Sequence, residues 1–152
     1  FVDRGSFSLE VVLLLFTFKV LFPNHVHLTR GNHESLNMNR IYGFEGEVKA
    51  KYSMQMFNLF TECFHCLPLA YCLGAKIYVT HGGLFSRDDV TLDELRKVER
   101  FREPPDEGLM SEMLFGGGWA IEEARIIEEE VFFNCIHRFR ERSKNIGFRE
   151  SR

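Results

Sequence analysis

A short, largely apolar run that ends in a polar loop constrains the fold and chemistry of this chain more than any other sequence feature. The run over residues 26–28 predicts a buried strand, and the loop over residues 30–34 (Arg-Gly-Asn-His-Glu) follows almost directly. In open α/β sheets, ligands bind at the carboxyl ends of strands. The sequence therefore predicts a ligand site on this loop.

The side chains of this loop suit a site that binds a cation and moves a proton. Asn32 offers a neutral amide oxygen, a hard ligand for a divalent cation, and His33 is suited to proton transfer near neutral pH. Arg30 is a permanently charged donor for phosphate or carboxylate, and Gly31 lets the backbone approach a ligand closely. The alternative is a polar turn capped by Asn32, and two further glycine-bearing loops weigh against it.

Residues 1–34 are predicted to form a strand, a helix and a second strand, the crossover of a parallel pair. Apolar residues recur at three- and four-residue spacing over residues 9–20, with apolar residues between them, so the helix is expected to be buried on most sides. Ser6 or Ser8 can cap it. The second strand is placed at residues 26–29.

Two later helices are expected before residue 100. Residues 37–44 are polar and turn-prone, and one long amphipathic helix is expected from Glu45 to the residues before Pro68. Thr91, with Glu94 three residues on, forms a capping box for a short helix over residues 92–98.

A predicted hairpin delivers a second candidate site residue. Residues 69–73 and 76–80 are strand-like and are joined at Gly74-Ala75. His81 follows the second strand, with two glycines behind it. A histidine in this position suits a site, although a lone histidine would more simply be satisfied by a turn carbonyl.

Composition excludes several classes of function. Of 152 residues, 45% are hydrophobic and 27% charged, which is typical of a globular domain, and the 16 Phe predict a ring-rich core. A net charge of -3 gives no reason to expect nucleic acid as a partner. The apolar run over residues 11–15 is too short to span a membrane, and Lys19 interrupts its continuation.

The four cysteines favour a reducing compartment over a metal site. Cys63 and Cys66 have C-x-x-C spacing, but Cys72 and Cys135 do not form a second pair at ribbon spacing. Reduced core cysteines are the favoured interpretation, and the protein is expected to be cytoplasmic, or nuclear as well. The chain shows no signal peptide and starts with Phe1, so it looks cut from something longer.

The character of the sequence changes near residue 116. Three consecutive glycines form a flexible break, and residues 119–139 are predicted to form an amphipathic helix with an acidic front and a basic end. The basic end is interpreted as a solvated face. The expected division is a domain over residues 1–115 and an unrelated helical tail over residues 116–152.

Three glycine-bearing loops, in order and in register, carry a family resemblance. The motifs are Val2-Asp3-Arg4-Gly5, Arg30-Gly31-Asn32-His33-Glu34 and His81-Gly82-Gly83-Leu84, accompanied by Ile41-Tyr42-Gly43-Phe44, Cys66-Leu67-Pro68-Leu69-Ala70 and Pro105-Asp106. Together they resemble the metal-dependent serine/threonine phosphoprotein phosphatases. The resemblance covers residues 1–115 and implies an α/β fold, a partial calcineurin-like metallophosphoesterase sandwich, with the C-terminal helix outside the family match.

The resemblance also implies roles for individual residues. It implies a centre of two divalent metal ions (manganese, iron or zinc), in which Asn32 and His81 match two ligands of one ion. His33 matches the general acid that protonates the departing serine or threonine oxygen. Asp3 matches the carboxylate that orients this histidine, and Arg4 matches a phosphate clamp. From the residues alone, Asp3 and Arg4 are equally readable as a surface ion pair of little energetic value.

The chain also departs from the family pattern. The bridging aspartate of the family would stand just before Phe1, and the earlier aspartate and histidine ligands would lie farther upstream. After Leu114 the chain has Phe115 and three glycines where the family continues toward a second arginine and a last histidine ligand. Of the protein ligands in the family, only Asn32 and His81 have counterparts here.

These comparisons of residues leave three functional hypotheses. The favoured one is a protein serine/threonine phosphatase that acts on phosphoproteins by two-metal-activated water, with this chain an incomplete piece that is inactive alone. In the longer protein, a regulatory helical-repeat domain is an expected partner. The second hypothesis is a catalytically dead relative that binds partners through its tail helix. The third, a phosphoesterase acting on nucleotides, is disfavoured by the motifs over residues 41–44 and 66–70.

Overall fold

A computed structural model describes residues 1–74 and 76–116, together with the backbone of residues 131–134. Its helices are α1 (Ser8–Leu21), α2 (Leu36–Tyr42), α3 (Phe44–Lys51), α4 (Met54–Cys66), α5 (Leu92–Arg96) and α6 (Leu109–Phe115). Its strands are β1 (Ala70–Leu73), β2 (Ile77–Thr80) and β3 (Val131–Asn134). In the part of the chain that is described, no helix has both the length and the apolar character that crossing a membrane requires.

The first core is built largely from phenylalanine rings of α3 and α4, packed on the start of α1. Its buried members are Val2, Leu9, Val12, Phe44, Val48, Phe57, Phe60 and Phe64. The rings of Phe44 and Phe60 meet edge to face with centroids 5.6 Å apart, a favourable arrangement for aromatic pairs. This core confirms the ring-rich interior that the composition predicted.

Helix α1 buries one stripe rather than most of its surface. Leu9 and Val12 are fully buried on the first core and Phe16 packs against it, which is the spacing of a single helix face. Leu14, Val20 and other apolar residues of α1 remain exposed. The prediction of a helix buried on most sides is therefore wrong for the described structure, because no described layer covers its other faces.

The predicted crossover of two strands is also wrong. No strand is assigned at residues 1–2 or 26–29, although both segments are described. A strand needs a ladder of hydrogen bonds to a neighbour; instead, the N–H of Arg30 donates a single bond to the carbonyl of Pro68 at 2.8 Å. The serine cap is wrong as well, because α1 begins after Phe7 without a side-chain cap.

The long helix expected from Glu45 is broken in two. The side chain of Ser53 accepts a hydrogen bond from the N–H of Met56, so a new helix, α4, starts there. The turn-prone segment over residues 37–44 is mostly helix α2, which ends at Gly43 with a left-handed φ of 97°. The break between α3 and α4 thus comes from a local side-chain cap, and the end of α2 from a glycine with a left-handed backbone.

The predicted hairpin and capping box are confirmed. Strands β1 and β2 pair antiparallel, with Leu73 opposite Ile77, while Ala75 lies outside the described residues. Thr91 and Glu94 form the capping box of α5. Hydrogen bonds from Thr91 and then from the Arg87 guanidinium lower the pKa of Glu94 to about 2, because they favour its charged form.

The strand β3 corrects the prediction for the tail. Its backbone pairs parallel with β2, with Ile77 opposite Val131, where the sequence predicted helix. The remaining residues of the predicted tail helix lie outside the described part.

A second core lies between the hairpin and α6; its buried members are Leu69, Tyr78, Met110, Met113 and Leu114.

Candidate active site

The loop of residues 30–34 is anchored by a guanidinium that points inward. The side chain of Arg30 is 0% exposed. Its Nε donates to the carbonyl of Glu34 at 2.8 Å, and one Nη donates to the carbonyl of Arg102 at 2.7 Å. The other Nη pairs with the carboxylate of Glu103 at 3.3 Å. Burial lowers the pKa of Arg30, and the negative charges of Glu103 and Glu34 oppose this. The sequence allowed either phosphate or carboxylate as the partner of Arg30. In the structure the partner is a carboxylate within the fold.

The carboxylate of Glu34 joins the first two loops. Its side chain is buried, its Oε1 accepts from the N–H of Val2 at 3.0 Å, and its Oε2 accepts from the N–H of Gly31 at 2.8 Å. A carboxylate that accepts backbone hydrogen bonds on both oxygens is held in one position. The loop that carries Asp3 is thus fixed relative to the loop that carries His33.

Asn32 meets the histidine that follows β2. Its Oδ1 lies 2.9 Å from Nε2 of His81. Gly31 permits this approach, because a Cβ at position 31 would lie 2.6 Å from Oε2 of Glu34 and 3.0 Å from Nδ1 of His81. The neighbouring Gly82 is also tightly placed: its N–H donates to the carbonyl of Met113 at 2.6 Å. The second and third loops therefore converge, as the family resemblance implied.

His33 lies beside the first loop. Its Nδ1 is 3.2 Å from Oδ1 of Asp3, and the side chains of the two residues are 20% and 68% exposed. The carbonyl of His33 accepts a hydrogen bond from the side-chain amide of Asn39 at 2.5 Å. Because Nδ1 faces the carboxylate, Nε2 is the ring nitrogen left to exchange a proton with a bound molecule.

Tyr42 is a site residue that sequence reasoning did not single out. Its ring stacks on the imidazole of His33 with centroids 4.6 Å apart and 20° between the planes. The guanidinium of Arg4 lies over the same ring, 4.8 Å from its centroid. Nε of Arg4 lies 3.9 Å from Oδ1 of Asp3, and the Arg4 side chain is largely exposed. The motif over residues 41–44 was a signal for Tyr42, but only as part of the family resemblance.

The donors that meet at Asn32 and His81 suit one divalent cation. Two ligands bound at about 2.1 Å and at right angles lie about 3 Å apart, close to the distance seen here. An amide oxygen and an imidazole nitrogen are both ordinary ligands of such ions. In the described ranges, no group of three or more His, Cys, Asp or Glu side chains is placed to hold a metal ion. The donor types therefore fit a metal, while the number of donors is small.

The fold and this site define a class of protein. The chain belongs to the calcineurin-like phosphoesterase family, whose profile matches residues 1–137. This confirms the fold class and the family resemblance on which the sequence analysis relied.

Several serine/threonine phosphatases are close relatives. Human serine/threonine-protein phosphatase 5 is 64% identical over 115 residues, which is 76% of this chain and 23% of the relative. Serine/threonine-protein phosphatase T of Trypanosoma brucei is 54% identical over 115 residues, 76% of this chain and 24% of the relative. The chain thus spans about a quarter of the length of these relatives. This similarity confirms the resemblance to the serine/threonine phosphoprotein phosphatases, and to phosphatase 5 among them.

A solved structure supports the same assignment. A Saccharomyces cerevisiae protein serine/threonine phosphatase, described as similar to human phosphatase PP5, superposes with a TM-score of 0.73 at 50% identity. The match covers 75% of this chain and 36% of the yeast chain. The boundary at residue 115 remains a prediction, because the family profile reaches residue 137.

Proposed function

We propose that this chain is part of the catalytic domain of a protein serine/threonine phosphatase, which hydrolyses phosphoserine and phosphothreonine monoesters in proteins. One observation supports the proposal: two adjacent residues make the two contacts of the candidate site. Oδ1 of Asn32 lies 2.9 Å from Nε2 of His81, and Nδ1 of His33 lies 3.2 Å from Oδ1 of Asp3. A metal-ligand pair beside an oriented imidazole is the arrangement that metal-assisted hydrolysis of a phosphomonoester requires.

Asn32 and His81 would hold one of two divalent ions, whether manganese, iron or zinc. When bound, such ions polarise the phosphoryl group and supply hydroxide near neutral pH. His33 would protonate the departing serine or threonine oxygen from Nε2, since Nδ1 faces Asp3. Asp3 would hold the ring in that orientation, and Arg4 would bind phosphate oxygens.

Other parts of the proposal come from the resemblance to phosphatase 5. They are a regulatory helical-repeat domain in the longer protein and a cytoplasmic location, or a nuclear one as well. The alternative function is a catalytically inactive relative that binds other proteins.

A chimera separates the two functions. Residues 1–115 of this chain would replace the matching segment of human serine/threonine-protein phosphatase 5. If residues 1–115 supply functional site residues, the chimera will hydrolyse a phosphoserine peptide when manganese is added. A folded chimera without turnover above background would overturn the enzyme assignment and support the inactive relative. Circular dichroism would establish that the chimera folds.

The 152-residue chain alone is expected to bind manganese weakly and to hydrolyse little aryl phosphate. Two neutral donors hold a hard dication poorly against water, so the dissociation constant should be on the order of millimolar or weaker. Paramagnetic broadening of NMR signals by manganese measures this binding, and p-nitrophenyl phosphate measures turnover. His81→Ala should abolish the broadening at Asn32. Robust manganese-dependent turnover by the chain alone would contradict the expectation.

Removal of the Tyr42 ring is expected to lower turnover of the chimera about fivefold, because the ring supports both His33 and Arg4, and an aromatic contact is worth about 1 kcal/mol. Tyr42→Leu removes the ring, while Tyr42→Phe keeps it and should retain most of the activity. Tyr52→Leu changes an exposed tyrosine and serves as the control. Equal losses in the Leu and Phe variants of Tyr42 would show that stacking is not its contribution.

A further inference from the structure

The carboxylate of Glu103 contacts three separate segments of the chain. Its Oε1 is 3.3 Å from an Nη of Arg30 and 2.5 Å from Nε2 of His65 in α4. Its Oε2 accepts a hydrogen bond from the N–H of Leu36 at 2.8 Å. None of these contacts is used by the chemistry proposed above, and Glu103 lies 67 positions from Leu36. Its role therefore depends on the three segments that it connects.

Two of the three contacts stand at the two ends of the candidate metal loop. Arg30 begins the loop and Leu36 is the first residue of α2, which follows it. Asn32 and His33 lie between these two anchors. One side chain therefore fixes the span of the loop that presents a candidate metal ligand and the candidate acid.

The third contact ties this span to the first core. His65 belongs to the last turn of α4, whose residues Phe60 and Phe64 are buried in that core. Through His65, Glu103 is connected to the helix whose rings form much of the first core. Charged hydrogen bonds of this kind are roughly twice as strong as neutral ones.

We propose that Glu103 is a positioning residue for the site: it holds both ends of the loop over residues 30–36 in register with α4, so that Asn32 stays within reach of His81. This inference rests on the proposed function for its importance to catalysis. An ionised carboxylate is needed because Arg30 and the N–H of Leu36 donate to opposite oxygens of Glu103, and a carboxylate only accepts.

An amide in the same place cannot satisfy the three contacts. In a Glu103→Gln variant, the amide nitrogen must face either the N–H of Leu36 or the side of Arg30 and His65. Each orientation sets a donor against a donor. The shape of the side chain is unchanged, so the variant tests the hydrogen-bonding pattern and the charge rather than packing.

The test is amide hydrogen exchange by NMR on the 152-residue chain. The N–H groups of Gly31 and Glu34 report on the loop and do not touch Glu103 themselves. Their exchange rates, relative to those of Phe60 and Phe64, should rise at least about tenfold in Glu103→Gln, since a hydrogen bond to a charged group contributes a factor of this size. Added manganese should broaden the side-chain signal of Asn32 at about tenfold higher concentration.

Two controls separate positioning from charge and from stability. Glu107→Gln removes an equal charge from an exposed residue nearby and should change neither readout. Val48→Ala destabilises the first core without touching the loop, so it speeds exchange at Phe60 and Phe64 and should not raise the loop-to-core exchange ratio. If Glu103→Gln does not fold, Leu36→Pro removes one N–H donor at a helix position where proline is tolerated, after Ser35 in an extended conformation. It should loosen the loop in the same direction.

An unchanged exchange ratio in the folded variant would overturn the positioning role. If manganese fails to broaden Asn32 in the unmodified chain while Glu103→Gln still loosens the loop, the metal site of the proposed function is overturned and the positioning role is supported. If manganese broadens Asn32 equally in both chains and the exchange ratio is unchanged, the metal site of the proposed function is supported and the positioning role of Glu103 is overturned.

Discussion

His33→Asn in the phosphatase 5 chimera is expected to lower kcat by about 10²–10⁴-fold, the usual contribution of a general acid, while KM changes little. Asparagine is close in size to histidine and can still donate a hydrogen bond toward Asp3. It has no group that gives up a proton near neutral pH, so the departing alkoxide would leave unprotonated. Turnover of a phosphoserine peptide measures the effect.

A substrate with a better leaving group sharpens this result. Phenolic leaving groups need little protonation, so the loss with p-nitrophenyl phosphate should be smaller than the loss with the peptide. His25→Asn, which changes an exposed histidine after α1, is the matched control and should behave as the unmodified chimera. An unchanged kcat with the peptide would remove His33 from the role of acid.

Gly82→Ala is expected to destabilise the chain by about 2–4 kcal/mol, or to prevent folding, because overpacking against a rigid neighbour is costly. A Cβ at this position would lie 2.5 Å from the carbonyl oxygens of Glu112 and Met113. Both atoms belong to the backbone of α6 and cannot rotate away. Urea unfolding followed by circular dichroism measures the change.

Gly46→Ala provides the matched control on another glycine. Gly46 lies in α3, and a Cβ there would have nothing within 4 Å. Alanine is favoured over glycine in a helix interior by about 1 kcal/mol, so this variant should be slightly more stable than the unmodified chain. A Gly82→Ala chain as stable as the original would show that α6 yields readily to the added methyl group.

Local chemistry made part of the structure predictable from sequence. The pairings of Asn32 with His81 and of His33 with Asp3 were implied by the family resemblance that the three loop motifs carry, not by local spacing. The hairpin over β1 and β2 followed from alternation around a glycine turn. The capping box at Thr91 depends on two residues three positions apart, so it needed no knowledge of the rest of the fold.

Features that depend on distant partners were missed. The segment over residues 26–29 has strand-like composition, yet a strand exists only where a neighbour supplies hydrogen bonds. The inward turn of Arg30 depends on carbonyls some 70 positions away, at Arg100 and Arg102. The stacking of Tyr42 on His33 likewise requires the exact turn between the loop and α2. None of these partners is marked by local spacing.

The double duty of Glu34 has a consequence for redesign. Because its two oxygens hold the backbone of Val2 and Gly31 at once, the loop bearing Asp3 and Arg4 and the loop bearing Asn32 and His33 cannot be altered independently. Substitutions chosen to alter phosphate binding on the first loop should show epistasis with substitutions chosen to alter metal preference on the second. Engineers of such a phosphoesterase would therefore need to select both loops together in a single library.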